Sequence, residues 1–175
     1  ALLEHATRPD GSTFLEQQRD WRRGMYSRNT LLYNNISTSG QGGEGIALSY
    51  SDSSNISNSV IKTYNTTSYG IELYSYSYSN IISGNNVTTY NNQSSCIVAW
   101  YSSDSCVIAN NTLNANGEDS RGMYLQHSLY LYVANNNINS SGLYGEGIYL
   151  YNTSNSNLTN NSIIVSSSSQ GVYFR

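Results

Sequence analysis

Seven side chains recur at intervals of one repeat and could do chemistry together: Glu72, Tyr74, Trp100, Tyr124, Tyr149, Tyr151 and Tyr173. An aromatic face stacks on the apolar face of a sugar ring, while tyrosine hydroxyls and a carboxylate meet the sugar's hydroxyls. The chemistry such a set supports is carbohydrate binding. Catalysis asks for more. Glycoside hydrolysis needs two carboxylates about 5 to 9.5 Å apart, and the neighbours of Glu72 in its row are Ala47 and Val98. A calcium-assisted elimination needs several acidic ligands and a base that takes a proton. Asp52 and Asp104 fall two repeats apart, and Lys62 lies on a different strand. The sequence therefore offers no catalytic residue, no metal cluster and no cofactor site. Arg121 and Glu146 are expected to form an exposed ion pair worth under about 1 kcal/mol. His127 reads as a turn residue.

The seven share a face only if the repeats stack. Gly147-Ile148-Tyr149-Leu150-Tyr151 has relatives that begin at Gly45, Gly70, Cys96, Gly122 and Gly171. A period of 24 to 26 residues held this evenly marks a solenoid, in which each unit buries its apolar face against its neighbours. Three apolar columns emerge. The first is Ile46, Ile71, Ile97, Met123, Ile148, Val172, accompanied two residues on by Leu48, Leu73, Ala99, Leu125, Leu150 and Phe174. The second is predicted as Ile56, Ile81, Val107, Val133, Leu158, and the third as Ile36, Ile61, Val87, Leu113, Ile138, Ile163. Each column lies in a short segment of alternating apolar and polar residues, which predicts a strand with one buried face.

Between and after the inward residues of the first column stand two outward rows. One is Ala47, Glu72, Val98, Tyr124, Tyr149, Tyr173; the other is Ser49, Tyr74, Trp100, Gln126, Tyr151, Arg175. Half of the twelve are aromatic, which marks a binding surface. Thr38, Thr63 and Thr89 align as well, but by parity they face inward. The bends carry asparagine in register at Asn34, Asn85, Asn111, Asn136 and Asn161, with Ser59 in the same column. Asparagine tolerates left-handed backbone, and its stacked amides can bond as a ladder. Cys96 is predicted at a corner and Cys106 on the outer face of the next strand, too far apart for a disulfide.

Charge separates the two ends of the chain. Nine of the nineteen charged residues lie in the first 28 positions, and the rest of the chain is built from Asn, Ser and Tyr with one lysine. Residues 1–30 are predicted to form an N-terminal cap, in which a short amphipathic helix starts at Thr13 with Glu16 reaching back and ends near Gly24. Phe14, Leu15 and Trp21 would cover the open end of the solenoid of residues 31–175. A net charge of -3 gives no basic footprint for nucleic acid, and no apolar run reaches the ~18 residues of a membrane span.

The Gly-Ile-x-Leu strand with the asparagine turn, from about Tyr33 to Arg175, resembles the right-handed parallel β-helix repeats of the pectate-lyase-like superfamily. That resemblance implies an all-β chain of about six coils, three parallel sheets and a ligand face on the first sheet beside the long loops. It implies no activity, because this scaffold carries lyases, hydrolases, epimerases and inert surface proteins. The hydrolases of the superfamily have clustered aspartates on the first sheet, which are missing here. The sequence thus points to a non-catalytic secreted or cell-surface module, rigid and adhesive, whose Tyr/Trp face is suited to polysaccharide. Self-association through the open C-terminal end is a further expected contact. The alternative is a polysaccharide lyase or hydrolase whose active site is incomplete in this chain.

Overall fold

The structure is a computed structural model that describes residues 28–40, 42–166 and 168–175, with the backbone of 6–7 and 13–14. Among the described residues, short strands form three parallel sheets of six strands each. The first sheet stacks Ile46–Ser49, Ile71–Tyr74, Ile97–Trp100, Met123–Gln126, Ile148–Tyr151 and Val172–Phe174. The second sheet runs from Thr30–Leu32 to Asn157–Thr159, and the third from Asn35–Thr38 to Ser162–Val165. The chain visits second, third and first sheet once per coil, which is a right-handed parallel β-helix. Among the described residues there is no helix. The helix expected from Thr13 falls mostly outside them. Its first two residues, Thr13–Phe14, instead form a short strand antiparallel to Ala6–Thr7. That strand lies beside Ile46–Ser49 in the first coil.

Stacking is in register. Ile46 pairs with Ile71, then Ile97, Met123, Ile148 and Val172 follow, and the third column runs unbroken from Ile36 to Ile163. The second column differs from the expectation at two rungs. Ile82 and Ile108, not Ile81 and Val107, continue Ile56 into the core. Ile81 is 43% exposed. The physical reason lies in the bend after the first sheet. Single left-handed residues, Tyr50, His127 and Asn152, turn the chain in three coils. In the two coils that are one residue longer, the bend uses two in a row, Ser75 and Tyr76 or Tyr101 and Ser102. That extra residue flips the face presented by the next strand. In Ile81-Ile82 and Val107-Ile108 both residues are apolar, so alternation gives no warning.

Polar ladders tie the bends together. The backbone N–H of Ser59 donates to Asn85 Oδ1 at 3.0 Å, that of Asn85 to Asn111 Oδ1 at 2.9 Å, and those of Asn111 and Asn136 to Asn136 and Asn161 at 3.0 Å. Each of these asparagines returns its Nδ2 to a backbone carbonyl; that of Asn111 donates to Ile82 O at 3.0 Å. The residue before each has positive φ, as Asn58, Gly84, Asn110, Asn135 and Asn160. A serine ladder that the sequence reading missed does the same before the first sheet. There the N–H groups of Gly43, Ser68 and Ser94 donate to Ser68, Ser94 and Ser120 Oγ. The threonines face inward as predicted, and Thr38 and Thr63 donate to Gly43 O and Ser68 O.

Both cysteines are free and buried. Cys106 is not on an outer face: its thiol points inward and donates to Ser77 O at 3.3 Å. Cys96 takes the place that glycine holds in other coils. A Cβ on Gly70 would stand 2.2 Å from Val87 Cγ1, and one on Gly122 2.2 Å from Ile138 Cγ2. In those coils a β-branched residue of the third sheet fills the space below the glycine. By the same register Cys96 faces Leu113, which branches one carbon later and leaves that space to the cysteine.

Three outcomes test this packing. Gly122→Ala lowers stability by about 1–3 kcal/mol through overpacking, read as a drop of several degrees in Tm. Leu113→Ile costs a similar amount alone and far less with Cys96→Gly, a coupling that a double-mutant cycle reads directly. Additive effects would contradict the pairing. Burial pushes both thiols up from the ordinary 9.0 to about 12. Because the raised values favour the neutral thiols of the folded chain, their contribution is complete below pH 9 and is lost as pH rises toward 12. Stability measured by urea unfolding at pH 8 and pH 10.5 falls for the wild type, and falls less for Cys106→Ala.

Candidate ligand-binding face of the first sheet

Inward packing of Ile71, Leu73, Ile97, Ala99, Met123 and Leu125 fixes each first-sheet strand, so the alternate residues must project outward. Pairing places Glu72 beside Val98, Val98 beside Tyr124, Tyr124 beside Tyr149 and Tyr149 beside Tyr173. In the second row Tyr74 pairs with Trp100 and Gln126 with Tyr151. All seven residues picked out from the sequence therefore lie on one face, in the predicted order.

The rings form a continuous network. Trp100, Tyr124, Tyr149 and Tyr173 follow one another at centroid distances of 5.7, 5.2 and 5.1 Å. Trp100 also meets Tyr69 edge-on at 5.6 Å, and Tyr74 meets Tyr101 edge-on at 5.6 Å. Polar groups hold the rings in place. The Trp100 indole N–H donates to Glu72 Oε1 at 3.0 Å, and the Tyr124 hydroxyl donates to Gln126 Oε1 at 2.7 Å. Tyr149 is the least accessible of the set, at 9% exposed, because its neighbours in the row and Arg121 cover it. Tyr74 and Tyr173 remain exposed, and Trp100, Tyr124 and Tyr151 are half-buried.

Arg121 is more deeply engaged than the exposed ion pair predicted from the sequence. Its Nε lies 2.6 Å from Glu146 Oε2, with side-chain exposures of 24% and 12%. Those two atoms are screened from solvent, and among the described residues each has the other as its partner. The guanidinium lies 5.2 Å from the Tyr124 ring centre and 4.9 Å from that of Tyr149, a cation–π arrangement. Beside the stripe runs a groove of ≈ 380 Å³ lined by Thr67, Tyr69, Gln93, Ser95, Asp119, Arg121 and Tyr124. Burial first, and then the charges of Glu72 and Glu44, hold the Tyr69 hydroxyl above its ordinary 10.0, so it stays a donor in alkaline solution. Tyr69, which lines the groove and meets Trp100, is a residue the sequence reading passed over. It precedes Gly70 as Arg121 precedes Gly122, and the same count along the repeat finds both.

His127 is a turn residue, with φ of 49° and its Nδ1 2.8 Å from Asn152 Nδ2. It lies between Tyr101 and Tyr151, which extends the aromatic network round the corner. Asp52 and Asp104 are used by the backbone: their Oδ1 atoms accept from the N–H groups of Tyr78 and Leu129.

Among solved structures, the chain is similar to the Streptococcus pneumoniae surface protein and adhesin PfbA, with a TM-score of 0.54 and 14% identity over 98% of this chain and 54% of that one. The periplasmic alginate epimerase AlgG is also similar, with a TM-score of 0.41 and 14% identity over 83% of this chain and 44% of that one. The chain thus spans about half the length of the structures it matches, and the likeness to the adhesin is one of fold. No curated protein matches it by sequence. The sequence model of a family described as "Periplasmic copper-binding protein (NosD)" matches residues 15–114. The described residues do not fit the metal in that description. Copper sites draw on converging Cys, His, Met or carboxylate ligands, and no group of three or more His, Cys, Asp or Glu side chains converges among the described residues. Cys96, Cys106 and Met123 are all buried in the apolar core. The match to residues 15–114 takes in more than half of the sequence, and the chain belongs to the NosD family.

Proposed function

We propose that this chain is a non-catalytic, rigid module on the extracytoplasmic side of the cell, which holds polysaccharide on the outer face of its first sheet. The observation that carries this reading is the continuous run of rings from Trp100 to Tyr173, flanked by the groove at Tyr69 and Arg121. Rings fixed by packing and hydrogen bonds lose little side-chain entropy when a sugar settles on them. The location is supported by the periplasmic description of the family and by the surface protein among the similar structures. No described helix is long and apolar enough to cross a membrane.

A binding role fits this face better than hydrolysis or elimination. Glu72 is paired in its row with Ala47 and Val98, so it has no carboxylate opposite it in either adjacent strand. It also accepts the Trp100 indole, which suits a residue that positions a ring.

Retention in gels that contain a polysaccharide tests the reading. The wild-type chain is expected to be slowed, and Trp100→Ala to weaken binding about tenfold, which corresponds to 1.4 kcal/mol. Lys62→Ala, on the third sheet, should migrate as wild type. Release of reducing or unsaturated ends from the polymer, lost in Glu72→Gln, would instead make the chain an enzyme.

A further inference from the structure

Resting on that reading, we infer that the glycan site turns the corner after the first sheet. There Tyr101 and His127 form a second arm of rings that meets the stripe at Trp100. Backbone conformation is the first observation. Tyr101 has φ of 54°, in the left-handed region that disfavours bulky side chains and suits asparagine or glycine. The bend itself does not ask for a ring. In other coils the corresponding left-handed residue is Tyr50, Ser75, His127 or Asn152, so serine and asparagine make the same turn. Nor does the core hold the ring, because Tyr101 is 48% exposed. A bulky residue kept at the surface in a strained conformation points to a contact outside the chain.

Ring geometry says what that contact is with. The Tyr101 ring lies 6.2 Å from that of Trp100, with planes 11° apart, and 6.4 Å from that of His127, with planes 20° apart. His127 meets Tyr151 edge-on at 5.2 Å, which brings the run back to the second outward row. Trp100 is thus shared by two runs. One climbs the axis through Tyr124 and Tyr149 to Tyr173, and the other crosses the bend to Tyr101 and His127.

A surface continuous with the stripe, and made of the same rings and hydroxyls, is suited to the same polymer. His127 adds a polar group to it. Asn152 Nδ2 donates to His127 Nδ1 at 2.8 Å, which leaves the proton of the neutral imidazole on Nε2 as a donor for a sugar hydroxyl. The same bond fixes the imidazole before any ligand arrives.

Asparagine substitution separates a binding ring from a structural one. Tyr101→Asn installs a residue that suits φ of 54°, so its Tm is expected to hold or rise. Tyr33→Asn is the control. Tyr33 has φ of 57° and is 78% exposed, and it lies in the bend between the second and third sheets, where Asn58 is its counterpart in the next coil. These two variants, the wild type and Trp100→Ala are run through gels that contain hydroxyethylcellulose, galactomannan, glycol chitin, alginate or polygalacturonate. On the polymer that retains the wild type most, Tyr101→Asn is expected to weaken retention about three- to tenfold. Tyr33→Asn should be retained as the wild type is. Full retention of Tyr101→Asn where Trp100→Ala is weakened would confine the glycan to the stripe and overturn the proposal. So would a Tm several degrees lower in Tyr101→Asn, which would make the ring a structural prop, or an equal loss of retention in Tyr33→Asn. A wild type slowed by none of the gels, or Trp100→Ala slowed as much as the wild type, would instead remove the glycan-binding reading on which the proposal rests.

Discussion

Vertical register is the constraint on which everything else in this molecule depends. Each side chain on a strand lies directly over its counterpart in the next coil, so a residue is admitted only if it suits the neighbours above and below. In the interior this selects Ile, Leu and Val columns that leave Ile71, Leu73, Ile97 and Leu113 without solvent contact. At the corners it selects groups that bond upward, which is why the asparagines form an unbroken chain of amides from Asn85 to Asn161. Without those bonds the backbone N–H groups of four successive turns would be buried with no acceptor, at about 1–3 kcal/mol each.

The same constraint turns distance in sequence into proximity on a surface. Trp100, Tyr124 and Tyr149 are some 25 residues apart, and their rings lie within 6 Å of the next. No loop has to fold over to assemble them. Arg121 is placed by the same logic, one position ahead of the glycine that precedes the strand, and its reach along the axis brings it to Glu146 one coil on. The groove beside the stripe lies where this column carries one small residue, Ser95, between Tyr69 and Arg121. The small serine between the two large side chains opens the space.

Period and alternation encode only part of this in the sequence. The first and third columns are legible because their apolar residues recur at the repeat period, and the outward rows follow from them by parity. The second column is not fully legible. Its longer bends differ from the shorter ones only by one more residue of positive φ at Tyr76 and Ser102, and neither tyrosine nor serine announces that conformation. The expectation of Cys106 on an outer face fails through the same slip. The serine ladder is hidden because serine is common throughout the chain, whereas asparagine at a fixed corner stands out. Burial of Tyr149 and of the Arg121–Glu146 pair depends on how neighbouring side chains lean, and a linear count carries no such information. Most of the N-terminal segment read as a capping helix lies outside the described residues.

Trp100 offers the most direct test of the central claim, that stacked coils present a glycan face at this position. In a Trp21→Phe chain it is the only tryptophan, so a single indole N–H signal reports the bond to Glu72. Titration with an oligosaccharide of the polymer that retains the chain, followed by NMR, should move that signal in a saturable way while the signals of third-sheet amides such as Thr88 and Asn114 stay in place. An indole signal that does not move at saturation, with shifts appearing on the third sheet instead, would put the ligand elsewhere and contradict the account.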